Sequence, residues 1–355
     1  VNVTLNLNTV TPKDCHVAPL WILYVVQVLT FAMFALFARD ARKRGTRWLA
    51  MLLWGVLFGL SVEWTLTCNA PGYEYDPHFW HLHSDSLHLR NIPVWVAVGW
   101  SLIIYAASWT AQRLNVPRFV QPIVAGYLAV NVDLSLDPIA SRYGFWCWAP
   151  TPASFAGVPF HNFDLWVVVV AVYAGTVRWV LRLANRKANG VGWRDPLPAH
   201  ARLPPAWVQA LLPGVGVLIS LCLFALVHFV GDKTPIAQGG AFAVGLFAAI
   251  GLFALILLFA YARSASRRGK RDVMTLSLPL TFHLFCYGMS FPLFGSDSAL
   301  ALLIPANTIV AFFAYAWPFL DSFVPPEALV PTKNEDPDDS HEARHPARRA
   351  MPVGP

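Results

Sequence analysis

Apolar runs of about 20 residues, separated by short polar loops, dominate this chain, and a run of that length is what a helix needs to cross a bilayer. Nine stretches qualify, at about 18–38, 48–68, 92–111, 118–134, 164–184, 206–230, 237–262, 273–293 and 299–320. The fourth is short and the last two are closely spaced, so seven to nine spans are expected. Only 13% of the residues are charged, against about 25% in a soluble domain. The expected fold is all-α: a polytopic transmembrane helical bundle with the lipid bilayer as its first partner. The polar N-terminal stretch lacks a basic n-region and does not read as a cleavable signal peptide.

Loop charge orients the bundle. Arg39, Arg42, Lys43, Arg44 and Arg47 share one loop, and Arg113 and Arg118 another. A third segment holds Arg178, Arg182, Arg186, Lys187, Arg194 and Arg202; a fourth holds Arg263, Arg267, Arg268, Lys270 and Arg271. The alternate loops and the N-terminus carry only Lys13, Arg90, Arg142 and Lys233. Cytoplasmic loops are the basic ones, so the N-terminus is expected outside and the C-terminus in the cytoplasm. A nine-span count makes the basic loops alternate without exception. The same bias explains the net charge of +6, and no nucleic-acid partner is expected. Three regions follow: an external segment 1–17, a transmembrane domain 18–322, and a Pro-rich charged cytoplasmic tail 323–355 that is expected to be disordered. The five cysteines include no CxxC pair, which argues against a zinc site or a disulfide framework. Cys68 and Cys147 are the two that could pair outside the membrane.

Polar residues are rare inside spans and mark function when they occur. Asp133 and Asp137 lie four apart, on one face of a helix if it continues that far. Pro138 disfavours helical geometry at Asp137, so the helix is expected to end there. A close pair of buried carboxyls suits a protonated general acid; a solvated helix end is the plainer alternative. Glu63 sits in the second apolar run. Trp146 and Trp148, followed by His161, Asn162 and Trp166, make either an interfacial aromatic belt or an aromatic pocket able to stabilise a cation. The loop with His78, His81, His83 and His88 is dense in imidazole, but its spacing matches no metal site, and no metal is assigned.

The run from Gly126 to Trp166 resembles the integral-membrane carotenoid biosynthesis proteins, which include the CruF-type carotenoid 1′,2′-hydratases and the bisanhydrobacterioruberin hydratases. The residues that carry the likeness are Asp133-Leu-Ser-Leu-Asp137-Pro-Ile-Ala, Gly144-Phe-Trp146-Cys-Trp148 and Gly157-Val-Pro-Phe-His-Asn162-Phe-Asp-Leu-Trp166. Glu63, Tyr75 and Ile92-Pro93 through Trp100 follow the family's order of elements, and the wider likeness covers about residues 50–185. Two departures are the His-rich insert after Tyr75 and Leu165 where the family has Gly.

The resemblance implies a hydratase that adds water to the terminal C=C of an acyclic or monocyclic carotenoid, through a tertiary carbocation and without a cofactor. In that reading Asp133, Asp137, Glu63 and Asn162 are catalytic. Asp133 or Asp137 is the acid, the other or Glu63 the base that positions water, and Asn162 holds the water. Trp146, Trp148, Tyr75, His161 and Trp166 line the substrate. Competing readings are a non-enzymatic isoprenoid-binding membrane protein, a His-dependent metal oxygenase, and a secondary transporter.

Overall fold

The computed structural model describes residues 20–69, 73–75, 88–89, 92–113, 117–143, 145–148, 154–155, 157–191, 203–231, 273–291 and 304–311, with a few single positions between 245 and 301. Seven helices are defined: α1 Leu20–Arg44, α2 Thr46–Asn69, α3 Val94–Arg113, α4 Gln121–Arg142, α5 Phe160–Ala188, α6 Ala206–Gly231 and α7 Val273–Ser290. Among the described residues, six helices, α1 to α6, are long and apolar enough to cross a membrane. Residues 304–311 are also helical. Most of the run expected at 237–262, the N-terminal segment 1–17 and the tail 323–355 lie outside the described residues.

Burial separates centre from periphery. The apolar windows of α3 and α4 are 83% and 78% buried, those of α1 and α6 only 33%. Large exposed side chains such as Trp21 and Val28 on α1, and Trp207 and Leu218 on α6, therefore face the apolar solvent that the sequence implies. Gly45, at φ 116°, makes the one-residue break between α1 and α2, a conformation that favours glycine. Small residues let the inner helices touch. A Cβ at Gly126 on α4 would lie 2.6 Å from the Val167 carbonyl oxygen on α5, and one at Gly59 on α2 would lie 2.5 Å from the Trp100 side chain on α3.

One expectation is corrected here. α4 does not stop at Asp137; Pro138 is inside it and the helix runs to Arg142. A proline removes one backbone N–H, so only the Leu134 carbonyl loses its partner. The turns beyond stay bonded, with Tyr143 N donating to Ile139 O at 3.0 Å and Phe145 N to Ala140 O at 2.9 Å. A helix supported by neighbours tolerates that loss. Asp137 therefore sits more than a turn inside the helix rather than at its end, one turn after Asp133 on the same face.

Short strands cover the end of the bundle where α2 and α4 finish and α5 begins. β1 Tyr73–Tyr75 pairs antiparallel with β4 Trp146–Trp148, placing Tyr75 opposite Trp146 and Tyr73 opposite Trp148. β2 His88–Leu89 pairs with β3 Ile92–Pro93 before α3, and β5 Ser154–Phe155 with β6 Val158–Pro159 before α5. Apart from Arg142, the described basic residues gather at the opposite end: the Arg44 guanidinium lies 4.0 Å from the Trp109 ring centroid, and Arg118, Arg178 and Arg182 are mutual neighbours.

Candidate active site

Five elements bring the site together. Asp133 and Asp137 come from α4, Glu63 from the last third of α2, Trp100 from the second turn of α3, Asn162 from the first turn of α5, and Trp146 from β4. All six side chains are buried. Asn162 is the hinge of the arrangement: its Nδ2 donates to Asp137 Oδ2 at 2.5 Å and to Asp133 Oδ2 at 3.3 Å. One amide thus spans both carboxyls and fixes α5 to α4. The Trp146 indole faces Asp137 from the strand end. Glu63 accepts from Trp100 Nε1 at 2.5 Å and lies close enough to both aspartates to act on them electrostatically.

A cleft of about 640 Å³, counting the part open to the outside, runs between these groups. Glu63, Asp137 and Asn162 contribute its polar wall; Trp95, Trp100, Trp146 and Trp166 contribute aromatic surface. Trp100 and Trp166 are stacked, with ring centroids 3.9 Å apart and planes at 17°. Asp133 is fully buried behind Asp137 rather than on the cleft wall. Three acidic side chains thus share one buried setting, and Glu63 and Asp137 face the cleft beside aromatic rings.

Other residues singled out in the sequence fall differently. His161 is half-buried on the first turn of α5 and outside the cleft lining. The backbones of Tyr75 and Trp148 belong to the β1–β4 pair; their side chains, like those of Cys68, Cys147 and His88, lie outside the described residues, as do His78, His81 and His83 entirely. Among the described residues, no group of three or more His, Cys, Asp or Glu could hold a metal ion.

A second polar cluster occupies the opposite face of α4. Asn131 Nδ2 donates to Asn307 Oδ1 at 2.6 Å, and Asn307 Nδ2 donates to the Asn131 carbonyl at 2.5 Å and to Ser135 Oγ at 2.7 Å. With its Nδ2 so engaged, Asn131 offers Oδ1 to His283 Nε2 at 3.1 Å, while His283 Nδ1 lies 3.1 Å from Ser135 Oγ. That pattern puts the ring proton on Nε2, with Nδ1 accepting from the serine hydroxyl. Asn307 was missed in the sequence, although a lone amide in an apolar run is the signal that exposes such a residue. Trp95, Gly99, Thr30 and Phe282, also on the cleft wall, carry no signal beyond an apolar or small character shared with the rest of the spans.

Residues 20–204, which contain α1 to α5 and every polar group of the cleft, match a family described as carotenoid biosynthesis protein. No curated protein and no solved structure matches the chain significantly.

Proposed function

The chain belongs to the carotenoid biosynthesis protein family, and from that premise we propose that it adds water to the terminal C=C of an acyclic or monocyclic carotenoid. The observation that carries the proposal is a carboxyl pair bridged by one amide, opening onto a cleft walled by tryptophans. Asp137 is assigned as the acid, because it lines the cleft while Asp133 stands behind it as proton partner. Its proton goes to the less substituted alkene carbon, the π pair forms the new C–H bond, and the neighbouring carbon becomes a tertiary cation. Tryptophan faces stabilise that cation, and cation–π attraction is strongest for indole. Water then forms the C–O bond, and the oxonium loses its proton to a carboxylate. Glu63, held by Trp100, is assigned as that acceptor. Once Glu63 passes that proton back to Asp137, the sum is one water consumed, with no change of redox state.

Asn162 takes a different part here from the water-holding one that the resemblance implies. Its amide N–H groups are directed at the carboxyls, so it holds the acid pair in place. With the basic end of the bundle cytoplasmic, the cleft belongs to the non-cytoplasmic half of the membrane.

Expression in a host that makes an acyclic carotenoid, with pigments read by mass spectrometry, tests the assignment. The wild type is expected to yield pigment heavier by one water. Asp137→Asn is expected to lower the yield by about 10²- to 10⁴-fold, the usual contribution of a positioned acid, and Asp133→Asn by at least about tenfold, with both proteins still inserted. Full activity in both variants overturns it. Pigment that co-purifies unchanged with the wild type favours a carrier instead.

A further inference from the structure

The carboxyl-bearing cleft has a neighbour. A smaller, mostly apolar pocket, with Thr30 and Thr281 as its hydroxyl-bearing walls, lies in the seam between α1 and α7, where Val26, Leu29 and Met33 line it with Phe285. Those α1 positions are spaced by three and four, so they form one stripe of the helix. Thr30 of α1 and Phe282 of α7 line both pockets. The two spaces therefore adjoin at a neck made by one hydroxyl-bearing side chain and one ring. Inward of that neck, Gly99 on α3 leaves the way open: a Cβ built there meets nothing within 4 Å. Outward, Leu29 is 36% exposed and Leu280 42% exposed, at the surface that faces lipid.

The shape of the substrate gives the seam a use. An extended acyclic carotenoid is about as long as the hydrocarbon core is thick, about 30 Å. With its end group placed beside Asp137, as the hydration reading requires, its polyene shaft has to leave the cleft somewhere. An exit through water exposes a long apolar surface, at roughly 25 cal/mol for each Å². Resting on the hydration reading, we infer that the shaft threads between Thr30 and Phe282 and lies in the α1/α7 seam, so that substrate is taken up sideways from the bilayer. The walls suit this occupant: mostly apolar, with two phenylalanine rings and no charged side chain in the seam pocket. The arrangement also keeps bulk water away from the cation while the end group is engaged.

Blocking the seam tests this. Thr30→Trp fills the neck, and Leu29→Trp fills the half-exposed rim with less risk to folding. Val28→Trp is the control, because Val28 is 66% exposed on α1 and outside both pockets. Each variant is made in the carotenoid-producing host, and both retained pigment and water-added product are measured per membrane-inserted protein. Both seam variants are expected to lose at least tenfold in pigment and product, with the control at wild-type level. If Thr30→Trp does not accumulate, Leu29→Trp alone decides. Wild-type levels in the seam variants, or an equal loss in the control, overturn the inference. A wild type that retains pigment without converting it removes the hydration reading, and the retention ratios still judge the seam. A wild type that neither retains nor converts pigment removes both.

Discussion

Glu63 and Trp100 show what a single contact contributes. A carboxyl next to a second-span tryptophan, Trp64, is visible in the sequence, because ionisable groups in apolar runs are rare. Its partner is not visible, since the rotation of α3 about its axis decides which of Trp95, Trp100 and Trp109 meets it. The indole N–H reaches Glu63 at 2.5 Å while the ring stacks on Trp166, so the residue both holds the carboxyl and lines the cleft. Trp100→Phe keeps an aromatic face but removes the donor. A lost hydrogen bond to a charged group costs about 1.5–3 kcal/mol, so kcat is expected to fall roughly tenfold to a hundredfold while KM for the carotenoid changes little. Steady-state kinetics in detergent read this split; unchanged kcat in both Trp100→Phe and Glu63→Gln removes Glu63 from the chemistry. The Asp133/Asp137 pair was legible from its four-residue spacing, and Asn162 from the resemblance. That one amide would span both carboxyls depends on how α5 meets α4, which spacing does not encode.

At the scale of the element, α4 is the polar spine of the bundle. Asp133 and Asp137 point one way, Asn131 and Ser135 the other, and both faces are buried. The apolar run marked the helix but ended it too early, because Pro138 reads as a stop in water. Inside a packed bundle it costs one hydrogen bond, and the helix continues. Close approach of α4 and α5 is what lets Asn162 reach the aspartates, and at Gly126 that approach leaves no room for a side chain. Gly126→Val places a Cβ 2.6 Å from the Val167 carbonyl oxygen; overpacking of this kind costs about 1–3 kcal/mol. A lower Tm in detergent is expected, together with loss of activity as the Asn162 bridge opens. Gly99→Ala, with nothing within 4 Å of the new Cβ, is expected to keep the wild-type Tm. Equal Tm values for Gly126→Val and the wild type contradict this account of the helix crossing.

Across the whole molecule, the family-matched core meets the C-terminal part on two sides, α6 packing on α2 and α5, and α7 on α3 and α4. Residues 20–204 carry the carboxyls and most of the aromatic wall. α7 and residues 304–311 contribute Phe282 to the cleft and His283 and Asn307 to the polar cluster behind it. The class of fold was readable from run length and charge, since only helices satisfy their own backbone within lipid. Which helices are central was not, because α1 has the higher mean hydropathy, 2.1 against 1.4 for α3, yet α3 is the one its neighbours bury. The cleft itself is a product of that arrangement, drawing its wall from α1 through α5, α7 and β4. Its chemistry is tested most directly by supplying purified protein with an acyclic carotenoid in heavy-oxygen water and reading the product by mass spectrometry. Acid-catalysed hydration predicts a tertiary alcohol whose oxygen comes from the labelled water, formed equally well without dioxygen. Unlabelled hydroxyl, a requirement for dioxygen, or pigment bound and returned unchanged contradicts it.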